Sequence, residues 1–245
     1  MPLGSGLGVS LRERGQSPMQ QVDKWIEEVV KGKTFADVGG LWGTVNEKVT
    51  VALKAGAAVA TMIDITPLGS SLWERFQDRC ALEGVTNYQC IQGDINNPDA
   101  IEDLRSYDVV CCSGVLYHCP HPLYAVIHLA AVCKRTLILG SSAIPSTVST
   151  ASGALVSEPG SALFVPALNE TQKGIIDEYF KEVGAQEMVG INTSCDWSIL
   201  DDYAPWWWLF TPEHVAALLE VAGFRILESG SEWEGRTALY LAEKS

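Results

Sequence analysis

The chain has 245 residues, 47% of them apolar, enough for one large domain with a substantial core. Its 30 acidic against 17 basic residues leave a net charge of −13, which argues against a nucleic-acid partner held through phosphate contacts and favours a small molecule. No run of about 18 uncharged apolar residues is available to span a membrane, residues 1–10 lack the cationic and apolar blocks of a secretory leader, and the seven cysteines show no disulfide spacing, so a reducing cytoplasm is the expected compartment.

Residues 1–16 are Gly-rich and read as a flexible arm ahead of a single domain spanning 17–245. Ser17 and Pro18 mark a helix start, as N-cap and first helical residue. Val22, Trp25, Ile26, Val29 and Val30 give that helix one apolar face, with Glu27 and Glu28 on the solvated side. From Lys33 onward short apolar runs alternate with helical stretches. Strands are expected at 34–38, 58–65, 87–92, 108–113 and 136–140. Helices are expected at 44–55, opened by a capping box of Thr44 and Glu47, at 68–82 with Leu72, Phe76 and Arg79 at helical spacing, at 99–104, and at 123–133. Continuous apolar strands separated by helices argue for a parallel sheet covered on both faces, and ligands of such sheets sit beyond the carboxyl ends of the strands. Residues 141–167 have no clear period and read as an irregular excursion, the start of a substrate-side insertion over about 141–210 that also holds a helix at 169–183. Thr211 and Pro212 open a last helix, Gly223 closes it, and two strands at 224–228 and 238–242 form a hairpin at the sheet edge.

The sharpest motif is Asp37-Val38-Gly39-Gly40-Leu41-Trp42-Gly43, between a strand and a helix, where glycines permit a tight turn and close approach of backbone to ligand. Asp64 follows the second strand, where an acid grips ribose hydroxyls in dinucleotide folds, with Ile65 beside it. Asp94 follows the third strand and can accept from an adenine amino group, and Ile95 can cover the ring. One acid after a strand is a solvated turn; three in register are hard to explain that way. The glycines at 39, 40 and 43 fail the G-x-G-x-x-G spacing of a dehydrogenase.

With Ser113-Gly114-Val115-Leu116-Tyr117-His118 after the fourth strand, the pattern resembles class I S-adenosylmethionine (SAM)-dependent methyltransferases over roughly residues 35–140. The stretch 115–122 and the late 211–224 helix are also similar to the tRNA wobble-uridine carboxymethyltransferase-like branch. The resemblance implies a Rossmann-like three-layer α/β/α sandwich with a seven-stranded sheet, parallel except for one strand near the end. It implies SAM as cofactor and S-adenosylhomocysteine as product. The cofactor would be held by Asp37, Gly39, Gly40 and Gly43 at the methionine side, Asp64 and Ile65 at the ribose, Asp94 and Ile95 at the adenine, and Ser113, Gly114 and Val115 along the transfer site. Leu41, where the family has glycine, and bulky Trp42 depart from the pattern and keep a non-catalytic binding module in view.

Methyl transfer from a sulfonium needs alignment, exclusion of water and sometimes removal of a proton. His118 is the candidate base, since imidazole titrates near neutrality, or else it orients the cofactor. Tyr117 is a second polar contact or an aromatic lid. His118, Cys119 and His121 lack the matched second pair of ligands that zinc wants, so no metal is expected. Trp197, Asp201, Trp206 and Trp207 are candidate substrate residues, an aromatic and carboxylate lid suited to an amine, with core packing as the alternative. The expected substrate is a small molecule with an N or O acceptor, with tRNA as the alternative; a homodimer is compatible with the sequence.

Overall fold

The protein is described by a computed structural model over residues 20–42, 46–97, 106–182, 206–232 and 235–245. A first helix, α1 (Gln21–Val29), leads into β1 (Thr34–Val38), α2 (Val49–Lys54), β2 (Val59–Asp64), α3 (Ser71–Leu82), β3 (Tyr88–Gln92) and β4 (Tyr107–Ser113). Then come α4 (Pro122–Val132) and β5 (Cys133–Ser142). Four short strands follow, β6 (Thr147–Thr150), β7 (Gly153–Val156), β8 (Ala162–Phe164) and β9 (Trp208–Phe210), with α5 (Glu170–Glu182) between the last two. Helix α6 (Pro212–Val221) and the strands β10 (Phe224–Glu232) and β11 (Thr237–Lys244) complete the chain.

Seven strands form one sheet in the order β10-β11-β5-β4-β1-β2-β3. β1 through β5 run parallel, and β11 is antiparallel to both β5 and β10. The expected seven-stranded α/β fold with one reversed strand is therefore the observed one. The order reverses direction at β1 and β4, so the crevice for a ligand opens at the carboxyl ends of these central strands.

The period of two along each strand builds two cores. In β1 and β4, Ala36, Val38, Val110 and Cys112 face the layer of α4, α5 and α6, where Leu129, Phe180, Val215 and Leu219 are buried. Phe35, Val109 and Cys111 face the layer of α1, α2 and α3, against Trp25, Ile26, Val49, Trp73 and Phe76. Each large side chain so buried contributes about 1.5–3 kcal/mol of transfer free energy. Cys111 and Cys112 are free and buried, as expected, and burial pushes both thiols well above their ordinary range.

Several boundaries differ from the sequence reading. The helix expected at 44–55 begins only at Val49; Thr44 lies outside the described residues, and Glu47 accepts from Thr50 rather than closing a capping box. The buried stripe of α3 is Trp73, Phe76 and Cys80, while Leu72 and Arg79 lie at its margin. Residues 141–167 are not irregular throughout: β6 and β7 pair as a hairpin, and β8 pairs antiparallel with β9. Those strands are three or four residues long and hold Ser, Thr and Ala, too short and too mixed to show a period. Thr211 sits at the N-cap of α6, but its hydroxyl is diverted, donating to the Ser161 carbonyl at 3.1 Å and accepting from Gly160 N–H at 3.0 Å. The capping box the sequence does supply is elsewhere: Asn169 Oδ1 accepts from Gln172 N–H and Gln172 Oε1 from Asn169 N–H, each at 3.0 Å, at the start of α5. Ser17, Pro18 and the helix expected at 99–104 lie outside the described residues.

Candidate active site

Beyond Val38 the backbone turns at Gly39, whose φ of +76° and position against Val115 admit only glycine: a Cβ would collide with Val115 Cγ2. Its N–H donates to the Ile63 carbonyl at 2.8 Å, so the turn starts tied to β2. A Cβ at Gly40 would overlap the carboxylate of Asp37, which folds back beneath the turn. Leu41 is wholly buried in the core under α2, and Trp42 is 84% exposed. Neither departure from the family pattern therefore fills the turn. Gly43 lies outside the described residues.

Asp37 is buried at the base of the turn, where its Oδ2 accepts from Lys48 N–H at 2.7 Å. Burial pushes its carboxyl from 3.8 up to about 7, the Lys48 N–H opposing the rise and the nearby carboxylates of Glu47 and Asp64 adding to it. Asp64, also buried, ends β2; its Oδ1 accepts from the N–H and Oγ1 of Thr66 at 2.9 and 2.7 Å. Gly93 N–H donates to the Asp64 carbonyl at 2.9 Å, so the ends of β2 and β3 are joined. Asp94 is half-buried with Oδ1 on Asn96 N–H at 2.8 Å, and Ile65 is exposed. Ile95 is buried in the core rather than open to the crevice, and its carbonyl meets His128 Nδ1 at 2.6 Å.

Ser113 ends β4, and Gly114 leads through half-buried Val115 into a single 3-10 turn at Leu116–His118. Tyr117 is buried, with its ring centroid 4.0 Å from that of Trp206 and 4.4 Å from that of His118. Desolvation holds its phenol protonated, well above its ordinary range. His118 is half-buried and meets Trp206 edge-on at 5.9 Å. Cys119 turns inward to Asn96 Nδ2 at 3.4 Å, and burial pushes its thiol to about 12.

The segment following β5 brings its aromatics onto this turn. Trp207 N–H donates to the Tyr117 carbonyl at 3.0 Å, and Trp208 Nε1 donates to the Pro120 carbonyl at 3.2 Å. Phe164 lies across the β8–β9 pair from Trp208, ring centroids 4.9 Å apart. Trp206 and Trp207 are buried, and the Trp207 indole N–H has no hydrogen-bond partner among the described residues. Trp197 and Asp201 lie outside the described residues.

The structure thus gathers Asp37, Gly39, Gly40, Asp64, Asp94, Val115, Tyr117, His118 and Trp206 at one end of the sheet. Behind the turn lies a buried polar cluster of Glu47 and Arg79, which the sequence suggested only as a capping and a helix-spaced residue, and Lys48, to which it assigned no role. Two adjacent charges directly after the glycine loop were the visible signal. Among the described residues no helix is long and apolar enough to cross a membrane.

No protein-family model matches the chain, and no curated protein matches it in sequence. Solved structures do. The magnesium protoporphyrin IX methyltransferase of Synechocystis, with bound SAM, is 17% identical over 91% of this chain and 76% of its own, with a TM-score of 0.53. The 1,6-didemethyltoxoflavin-N1-methyltransferase of Burkholderia thailandensis, with its substrate and S-adenosylhomocysteine bound, is 12% identical over 92% of this chain and 79% of its own, with a TM-score of 0.53. An O-methyltransferase family protein from the same organism is 12% identical with a TM-score of 0.57; this chain covers 54% of it, just over half its length. The likeness to the wobble-uridine branch finds no support in these structures. At such identities the likeness is one of architecture: the chain has the Rossmann-like fold of class I SAM-dependent methyltransferases.

Proposed function

We propose that the chain is a SAM-dependent methyltransferase acting on an N or O atom of a small molecule. The observation that carries this reading is the set of acids Asp37, Asp64 and Asp94 at or just past the carboxyl ends of three adjacent strands, beside a turn whose two glycines bring the backbone so close to Val115 and to the Asp37 carboxylate that no Cβ fits. That cradle fits a nucleoside with a methionine tail. Asp64 would accept from the ribose hydroxyls, its Oδ1 being fixed by Thr66. Gly39 and Gly40 let the backbone approach the tail, and Asp94 would receive the adenine amino group. When bound, SAM supplies a methyl group activated by positive sulfur.

The chain's own residues then have two tasks. The closely packed rings of Tyr117 and Trp206, with the half-buried face of His118, wall the transfer site and exclude water. His118 takes the proton that an N–H or O–H acceptor loses as it forms its new bond to carbon. The aromatic wall, the acidic balance of the chain and the domain's likeness to small-molecule methyltransferases support this acceptor class. The carboxylates proposed to draw an amine, Asp201 among them, and the proposed role of Trp197 join this reading as sequence-based assignments.

Calorimetric titration with SAM and S-adenosylhomocysteine tests the reading. Micromolar binding of both, abolished by Asp64→Ala, is expected; no binding to the folded chain would leave a methyltransferase-shaped module without the cofactor.

A further inference from the structure

Two consecutive charged residues, Glu47 and Lys48, are buried immediately after the glycine turn, at 1% and 8% exposure. Neither belongs to the crevice-lining set. The Glu47 carboxylate has no exposed side-chain surface. Its Oε2 accepts from Thr50 N–H at 3.0 Å, and its Oε1 accepts from the Thr50 hydroxyl and from Arg79 Nε, the latter at 2.8 Å. Arg79 stands on α3. Lys48 works in two directions. Its backbone N–H donates to Asp37 at the end of β1, and its ammonium donates to Asp23 Oδ1 at 2.7 Å and Gln20 Oε1 at 3.1 Å, at the start of α1.

We propose that Glu47 and Lys48 are positioning residues: they clamp the return leg of the glycine turn to α1, β1 and α3 and so set the shape of the cofactor cradle. The proposal deepens the cofactor reading above and rests on it. Its physical ground is that buried ion pairs are poor stabilisers. Well-packed apolar residues of similar volume do as well or better, because the charges give up their hydration. What the charged pair supplies is direction, since each hydrogen bond fixes an angle as well as a distance. Glu47 is too buried to touch a ligand, so it acts through the turn.

The discriminating variant is Glu47→Leu combined with Arg79→Leu. The expected result is an unfolding temperature equal to or above that of the parent, with a dissociation constant for S-adenosylhomocysteine raised tenfold or more. Equal affinity, within about twofold, would overturn the proposal. So would parallel loss of stability and affinity, since that is what a merely structural pair would give. If the double variant does not fold, Glu47→Gln decides. It retains an oxygen for Thr50 N–H and should weaken binding about threefold, and unchanged binding would again overturn the idea. If the parent itself binds neither SAM nor S-adenosylhomocysteine, the cofactor reading fails separately, and amide exchange at residues 39–42 tests the clamp. Exchange at least tenfold faster in the variant, with β4 unchanged, supports it, and equal exchange refutes it.

Discussion

Replacing Asp37 with Asn should make the empty protein more stable and its site worse. Asp37 is buried, and its carboxyl is raised from 3.8 to about 7. At about 1.36 kcal/mol per pKa unit, the ionised form costs the native state about 4 kcal/mol. The native state holds the proton more tightly than the unfolded chain. This contribution therefore favours folding most below pH 4, declines as pH rises from about 4 to about 7, and is constant above that. Asn keeps the shape and a carbonyl oxygen for Lys48 N–H but does not ionise. The neutral acceptor makes a weaker bond, so the expected gain at pH 8 is about 2–4 kcal/mol, shrinking toward zero at pH 4. Urea unfolding followed by tryptophan fluorescence at pH 4.5, 6 and 8 measures the gap. An Asn variant less stable than the parent at pH 8, or a gap that does not change with pH, would refute the reasoning. The same variant should bind SAM more weakly, since a cation placed near Asp37 loses its counter-charge. Stability gained together with binding lost is the signature of a group retained for its site.

Gly40→Ala drives a methyl group into the Asp37 carboxylate and should abolish S-adenosylhomocysteine binding, read by calorimetry, in a chain that still gives a folded far-UV spectrum. Trp206→Ala removes a fully buried indole from between Tyr117 and Phe180 and should lower the unfolding free energy by about 3–5 kcal/mol in urea titration. Asn169→Ala removes half of the capping box of α5 and should cost about 1 kcal/mol by the same assay. His118→Ala should leave cofactor affinity within about threefold while lowering the turnover of any acceptor by about 100-fold or more; near-normal turnover would exclude it as base.

The parallel sheet was legible because its central strands are apolar on both faces and chemically loud residues stand at or near the strand ends: Asp64 and Ser113 are the last residues of β2 and β4, Asp37 is the last but one of β1, and Asp94 lies two residues past β3. What the sequence could not show is orientation across space. Leu41 looks like an intruder in a glycine loop until its side chain is found in the core. Ile95 looks like a lid on a ligand, yet it belongs to the packing beneath α4. Glu47, Lys48 and Arg79 show nothing of their pairing in the sequence, and their partners lie on separate elements, so only the fold brings their meaning out. The short strands β6 to β9 depend on pairing between segments up to 48 positions apart, which local pattern does not encode.

The reversed strand β11 has a consequence for how the chain assembles. It is threaded between β5 and β10, so β10 touches the sheet only through it. Until residues 237–244 are in place, β5 is a bare hydrogen-bonding edge and β10 has no strand to pair with. An emerging or refolding polypeptide must therefore keep an open, adhesive border until its last strand arrives. An unpaired edge of that kind is a template for association, and the contact that closes it joins segments about 100 residues apart, the non-local kind that forms slowly.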